Sequence, residues 1–247
     1  MLSSSDTAAK QDARTLAPPT APKPASRHRT TMNIRVGELS GQREKNKLEK
    51  LQRIREATRE LFIGKGYDET TTREIAIRAG VGIGTVFTYA ENKRDLLFLV
   101  ANDELDEVTR KCEAGVSDEA SCLENLLAIF RQHYRYYARQ PALSRLLLRE
   151  MTFYDSGSQA KLFQRTRERN IDLVSAAVRR AQESKEIALD SDPEFAGWIA
   201  FCIFQVELRR WLMTKEPNLS AGMKRLERAL VLCMSGWGAR PAAFERK

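Results

Sequence analysis

From about residue 42 to residue 237, apolar side chains recur at three- and four-residue intervals, and no segment alternates apolar with polar residues. That period confines the chain to helix packed on helix, an all-α fold of about nine helices. The spacing predicts helices over about 42–63, 72–80, 83–90, 92–113, 119–139, 141–154, 158–184, 193–214 and 219–237. Residues 1–40 lack the period and are rich in Ala, Pro, Ser and Thr, so a disordered arm is expected there, with Met32 a candidate translation start. Residues 241–247 read as a tail.

The helical pattern is broken once in an informative way. GKGYDETT stops the first helix, and TTRE then offers a capping box, with the Thr71 hydroxyl accepting from the Glu74 amide while Glu74 reaches back. Gly80, Gly82 and Gly84 follow at alternate positions. No strand precedes them and the third glycine comes one residue early for a dinucleotide loop, so they mark a corner between two short helices. Ile75, Val81, Val86 and Tyr89 can face one another across it and Ala76 fits the crossing. Gly80 tolerates a positive φ, Gly82 can cap the next helix, and Gly84 removes bulk from an approaching face. A plain helical hairpin and a DNA-binding helix-turn-helix share this spacing.

The run ATRELFIGKGYDETTTREIAIRAGVGIGTVFTYAENKRDLL, residues 57–97, resembles the N-terminal domain of the TetR family of transcriptional regulators. It carries the family's helix-one phenylalanine, G-Y corner, T-T pair, I-A dipeptide, A-G-V turn, G-T opening and N-K before the leucine of helix four. It departs from the family at Gly82, where Ser or Thr is usual, at Phe87, where a phosphate-directed tyrosine is common, and at Ala90, where an aromatic usually stands. The resemblance implies a DNA-binding domain over 41–91, a linking helix from 92, and a larger effector-binding and dimerisation domain over 92–240.

An α-helix fits the major groove, and the helix over 83–90 would enter it with Ile83, Gly84, Thr85 and Thr88 outward. Arg73 stands where family members often place a base or phosphate contact. Lys93 corresponds to the family's phosphate-binding lysine, with Tyr89 and the amides near Thr71 clamping the backbone beside it. Arg43, Lys47 and Lys50 form a basic stripe on helix one. With Thr72, Gly82 and Phe87, Arg43 and Lys47 complete the candidate DNA face. Two such heads about 34–36 Å apart would read a palindromic operator on double-stranded DNA.

Beyond residue 92 the residues alone carry the reading. Residues 198–204, WIAFCIF, are apolar nearly all round, so that helix needs cover on more than one side. Trp198, Cys202 and Val206, with Leu226, Leu230, Cys233 and Trp237 at a matching period in the last helix, are the candidate homodimer interface. Phe130, His133, Tyr134, Tyr137, Met151, Thr166, Asn170, Phe201 and Gln205 mix polar groups into apolar faces, and are the candidate lining of a pocket for a small, largely apolar or aromatic effector. Internal hydrogen bonds or the subunit seam would account for the same polar residues. The expected function is a dimeric repressor released by that unknown effector, or else a DNA-binding regulator or activator that needs none.

Charge agrees with a polyanion-facing N-terminal part. Residues 1–40 carry six basic and three acidic side chains, 41–99 twelve and nine, and 100–247 twenty-three and twenty-one, so most of the net +8 lies early. No apolar run is long enough to span a membrane and no signal segment is evident, so a cytoplasmic protein without membrane association is expected. The four cysteines form no C-x-x-C pair and the only histidines are His28 and His133, so neither a metal site nor a cofactor is expected. Cys202 and Cys233 read as core residues, and Cys112 and Cys122 flank a short loop. Asp103, Glu104 and Glu107 hint at a metal-dependent helical enzyme but read more simply as a solvated face. No Glu-x-x-His pair or triad around His133 exists, and no catalytic residue is assigned.

Overall fold

The structure, a computed structural model, describes the backbone of residues 28–187 and 192–236, and the side chains within those spans from residue 41 onward. Nine helices and no strand occur among the described residues: α1 His28–Gly64, α2 Thr72–Arg78, α3 Ile83–Phe87, α4 Lys93–Ala114, α5 Cys122–Ala138, α6 Pro141–Glu150, α7 Ala160–Glu183, α8 Pro193–Leu212 and α9 Leu219–Ser235. Helix α1 starts earlier than the pattern implied; the last N-terminal proline is Pro24, and nothing after it forbids a helix. Residues 1–27 and 237–247, with Trp237, lie outside the described residues.

The chain falls into two compact units, Met1–Asn46 and Lys47–Lys247. In the first, Gln42 Nε2 donates to Asn46 Oδ1 at 2.9 Å, one turn along, and Arg43 is exposed.

In the second, Ile54, Ala57, Thr58 and Phe62 are buried along one face of α1, in the same core as Ile75 and Ala76 of α2 and Val86 of α3. The ion pair Arg78–Glu60 ties α1 to α2, Lys65 just past the end of α1 pairs with Glu74 of α2, and Arg55–Asp103 and Arg59–Glu104 tie α1 to α4. Helix α4 runs through the centre: Leu96, Leu97, Phe98, Leu99, Val100 and Ala101 are all buried, so it is covered on every side there. Helices α5, α6 and α7 pack on it, α8 lies along α7, and α9 closes against α5 and α8.

Among the described residues, only one side of α8 is covered. Ala200, Phe201 and Phe204 are buried, whereas Trp198 is 44% and Val206 56% exposed. In α9, Leu226 and Leu230, expected at an interface, turn inward and are 0% and 1% exposed. Their place outside is taken by Val231, Leu232 and Met234. The cysteine expectation is likewise corrected: Cys112 and Cys122 are buried, while Cys233 faces outward and Cys202 is half-buried. Cys233 shares the stripe of Leu226, two turns on, but lies in the last turn of α9, where Val231 to Ser235 are all exposed.

Candidate DNA interface and effector cavity

The corner forms as its residues dictate. Thr71 caps α2 in a full capping box: its Oγ1 accepts from Glu74 N at 3.2 Å, and Glu74 Oε2 accepts from Thr71 N at 2.9 Å. Lys65 and these Thr71 bonds hold the Glu74 carboxyl down to about 2. At the other end Gly80 takes φ +62°, Gly80 N donates to Ile77 O at 3.1 Å, and Val81 N reaches Ala76 O at 3.0 Å. This pair of bonds is a Schellman closure, and the left-handed residue it needs is the glycine. Gly82 then caps α3 through its backbone alone, as Thr85 N donates to Gly82 O at 2.9 Å.

Helix α3 is shorter than the 83–90 expected, ending at Phe87 with Thr88 as its C-cap. The Thr88 hydroxyl donates to Gly84 O at 3.0 Å, and Tyr89 N and Ala90 N both close on Val86 O, tightening the last residues into turns. Ile83 is 41% and Phe87 49% exposed. Gly84 and Thr88 are exposed beside them, and Thr85 is half-buried. Where the family pattern has an aromatic, Ala90 is buried at 1% exposure.

Around α3 the sequence-derived contacts divide. Arg73 is exposed in the first turn of α2, its side chain making no hydrogen bond or ion pair to another described residue, and Thr72 beside it is half-buried. Lys47 is exposed. Tyr89 instead donates its hydroxyl to Lys47 O at 3.2 Å. Lys93 donates to Tyr67 O at 2.8 Å and Asp68 O at 3.1 Å, with its ammonium 4.6 Å from the Tyr67 ring centre. Both therefore hold the head together, a use that local spacing could not reveal because their acceptors lie 42 and 25–26 residues away.

Seven of the nine expected pocket residues do meet at one cavity of about 40 Å³: His133, Tyr137, Met151, Thr166, Asn170, Phe201 and Gln205, joined by Leu105, Phe163 and Arg167. Phe130 and Tyr134 do not. Phe130 stacks on Phe204 at 4.4 Å and Tyr134 lies against Trp211 at 4.8 Å, which makes them core. The apolar period that groups them with His133 does not tell the inner face of α5 from the cavity side.

The polar groups of the cavity have fixed states. His133 is buried, which drives its pKa down to about 4 against the small opposing pull of the Ile129 carbonyl. It is therefore neutral, and Nδ1, 3.2 Å from Ile129 O, carries the proton because a carbonyl only accepts. Cys112 Sγ, 3.6 Å from that nitrogen, is an inert thiol that burial pushes up to about 12. Asn170 Nδ2 donates to Thr109 Oγ1 at 2.7 Å and Thr166 O at 2.8 Å; the Thr109 proton goes to Leu105 O, so the amide orientation is determined. Asn170 Oδ1 is left buried without a partner among the described residues. A larger apolar groove of about 510 Å³ opens elsewhere, lined by Phe195, Ile199, Leu230, Cys233 and Met234 among others.

No helix among the described residues is long and apolar enough to cross a membrane, and no group of three metal-binding side chains occurs among them. Comparison with known proteins matches residues 54–100 to the family described as bacterial regulatory proteins, tetR family. The chain is 23% identical over 175 residues to the fatty acid metabolism regulator protein of Bacillus subtilis (strain 168), covering 70% of this chain and 88% of the relative. It is 29% identical over 218 residues to the HTH-type transcriptional repressor KstR of Rhodococcus jostii (strain RHA1), covering 87% and 97%. Among solved structures, the transcriptional regulator FadR from Bacillus subtilis in complex with stearoyl-CoA aligns with a TM-score of 0.61 at 20% identity, over 74% of this chain and 98% of that one.

Proposed function

Because the chain belongs to the tetR family of bacterial regulatory proteins through residues 54–100, we propose that it is a dimeric, sequence-specific repressor that an effector with a largely apolar or aromatic body releases from its operator. The observation that carries the DNA reading is α3, capped and cornered by its own glycines, with Ile83, Gly84, Phe87 and Thr88 turned outward and Arg73 uncommitted nearby. Residues 41–91 would read DNA in the cytoplasm and residues 92–240 would take the effector and the second subunit. The partner face follows from exposure: Phe195, Trp198, Cys202 and Val206 on α8, with Val231, Leu232 and Met234 on α9, leave an apolar surface that a second copy would cover.

For the effector, a long-chain acyl-CoA thioester is the class to try first. The cavity offers Leu105, Tyr137, Met151, Phe163 and Phe201 to an apolar body and Arg167 to a charged group. Its volume admits only a few waters, so such a ligand would have to part the walls. The test begins by recovering the operator from random duplex pools with the purified protein. Arg73→Ala should then lose about 1–3 kcal/mol of discrimination on that site while binding random DNA as before; equal loss on both would remove Arg73 from the reading. Titrating the complex with stearoyl-CoA should release DNA. Operator affinity untouched by acyl-CoAs of every length would instead favour a regulator without an effector.

A further inference from the structure

Asp95, in the first turn of α4, belongs neither to the outward face of α3 nor to the cavity lining, yet it is 0% exposed. Its Oδ2 accepts from Ser158 Oγ at 2.6 Å, Ser158 N at 2.9 Å and Glu91 N at 3.0 Å. Its Oδ1 accepts from Gln159 N at 3.0 Å and from the Tyr154 hydroxyl. Burial acts to raise the carboxyl, but the bonds from Ser158, Tyr154, Glu91 and Gln159 outweigh it and hold the group below its ordinary value, ionised. Hydrogen bonds to a charged acceptor are about twice as strong as neutral ones, so the cluster is a firm joint.

What it joins is specific. Glu91 belongs to the turn that leaves α3, and all the other donors belong to residues 154–159 between α6 and α7. That segment reaches past Asp95 to the recognition end itself: Gln159 Nε2 donates to Tyr89 O at 3.0 Å, and Ser158 Oγ lies 3.2 Å from the same carbonyl. Asn102, about two turns further along α4, holds Gln159 through its carbonyl at 3.1 Å and Oε1 at 3.2 Å. The turn is moulded to the carboxylate. Gly157 sits at φ +112°, and a Cβ there would stand 2.5 Å from Asp95 Oδ1.

We infer that Asp95 is a positioning residue for DNA recognition, fixing the presentation of α3 by pinning residues 89–91 to residues 154–159. This rests on the regulator reading above. The same segment runs between Met151 and Phe163, both in the cavity wall, so anything that parts those walls pulls on this carboxylate.

The experiment uses the full chain, the operator duplex it selects and a scrambled duplex at one salt concentration. Asp95→Asn sets an NH₂ group against donors and should weaken operator binding roughly tenfold while leaving scrambled DNA within about twofold. The double variant Ser158→Ala/Gln159→Ala removes the two side-chain links to Tyr89 and should weaken operator binding roughly threefold at unchanged melting temperature. If Asp95→Asn does not fold, the double variant decides. A folded double variant with the wild-type operator-to-scrambled ratio overturns the inference, as does an equal loss on both duplexes. A wild-type protein that selects no sequence at all sinks the regulator reading itself, an outcome separate from the variants.

Discussion

The proposed DNA-reading head and the larger helical half put their candidate groups on opposite sides of their helices. In the head, Arg73, Ile83, Phe87 and Thr88 face solvent while Ile75, Ala76 and Val86 keep the corner. In the larger half, His133, Thr166 and Asn170 are each at most 6% exposed and meet across α5 and α7. A surface that reads a ligand outside the fold can take its shape from a local corner, which neighbouring residues encode, and needs only one distant joint, at Asp95, to present it. Recognition inside the fold needs several helices to arrive together, and its stability and its specificity share the same atoms.

The sharpest way to break this contrast is to damage the interior alone. Phe204 is 0% exposed, stacks on Phe130 at 4.4 Å and meets the His133 ring at 5.2 Å. Phe204→Ala should destabilise the chain by about 3–5 kcal/mol in urea unfolding. At temperatures where it is still folded, its preference for operator over random DNA should equal the wild type. A changed preference in the folded variant would mean that packing at Phe204, and not only the joint at Asp95, sets how the head is presented.

Titration sharpens the same contrast. His133 is neutral in the fold with a pKa of about 4, whereas the unfolded chain binds that proton near 6.5. The unfolded state thus holds more protons between those values, so stability is fully present above about 6.5 and falls as pH drops toward 4, by about 3 kcal/mol at most. The only other histidine is His28. His133→Gln should therefore flatten most of this slope, and unfolding curves from pH 7.5 to 4.5 that match the wild type would show that the imidazole is not held neutral.

The legibility of the two halves differs for physical reasons. The capping box at Thr71, the positive φ at Gly80 and the cap at Gly82 are all set within four residues, and each was readable from spacing. Four cavity residues, His133, Thr166, Asn170 and Gln205, were readable because polar side chains interrupt apolar stripes. What spacing could not show was where a side chain spends its hydrogen bonds. Lys93 and Tyr89 turn to backbone carbonyls of distant residues, and Asp95 meets Ser158 and Gln159 across 63 and 64 positions. Helix rotation was the other gap: Leu226 and Leu230 share an apolar stripe with nothing in the sequence to say whether it faces in or out.

The smallest effect probes the head at its most local. Thr71→Ala removes the hydroxyl that accepts from Glu74 N at 3.2 Å, and an N-cap change of this kind typically costs ~1 kcal/mol. Thr71→Ser keeps the oxygen and should restore nearly all of it. Helix α2 has seven residues, and Arg73 rides on its first turn, so loosening the cap should speed amide exchange in α2 and weaken operator binding a few-fold. Exchange in α5, α7 and α8 should not move, because no hydrogen bond of Thr71 leaves the head: its partner Glu74 bonds back to Thr71 and to Lys65. Acid should do gradually what the substitution does at once, since the Glu74 contribution is present above its unfolded value near 4.5 and lost as pH falls toward 2. Faster exchange spreading from α2 into the cavity helices would show that the two halves are one cooperative unit, and the contrast drawn between them would fail at its smallest step.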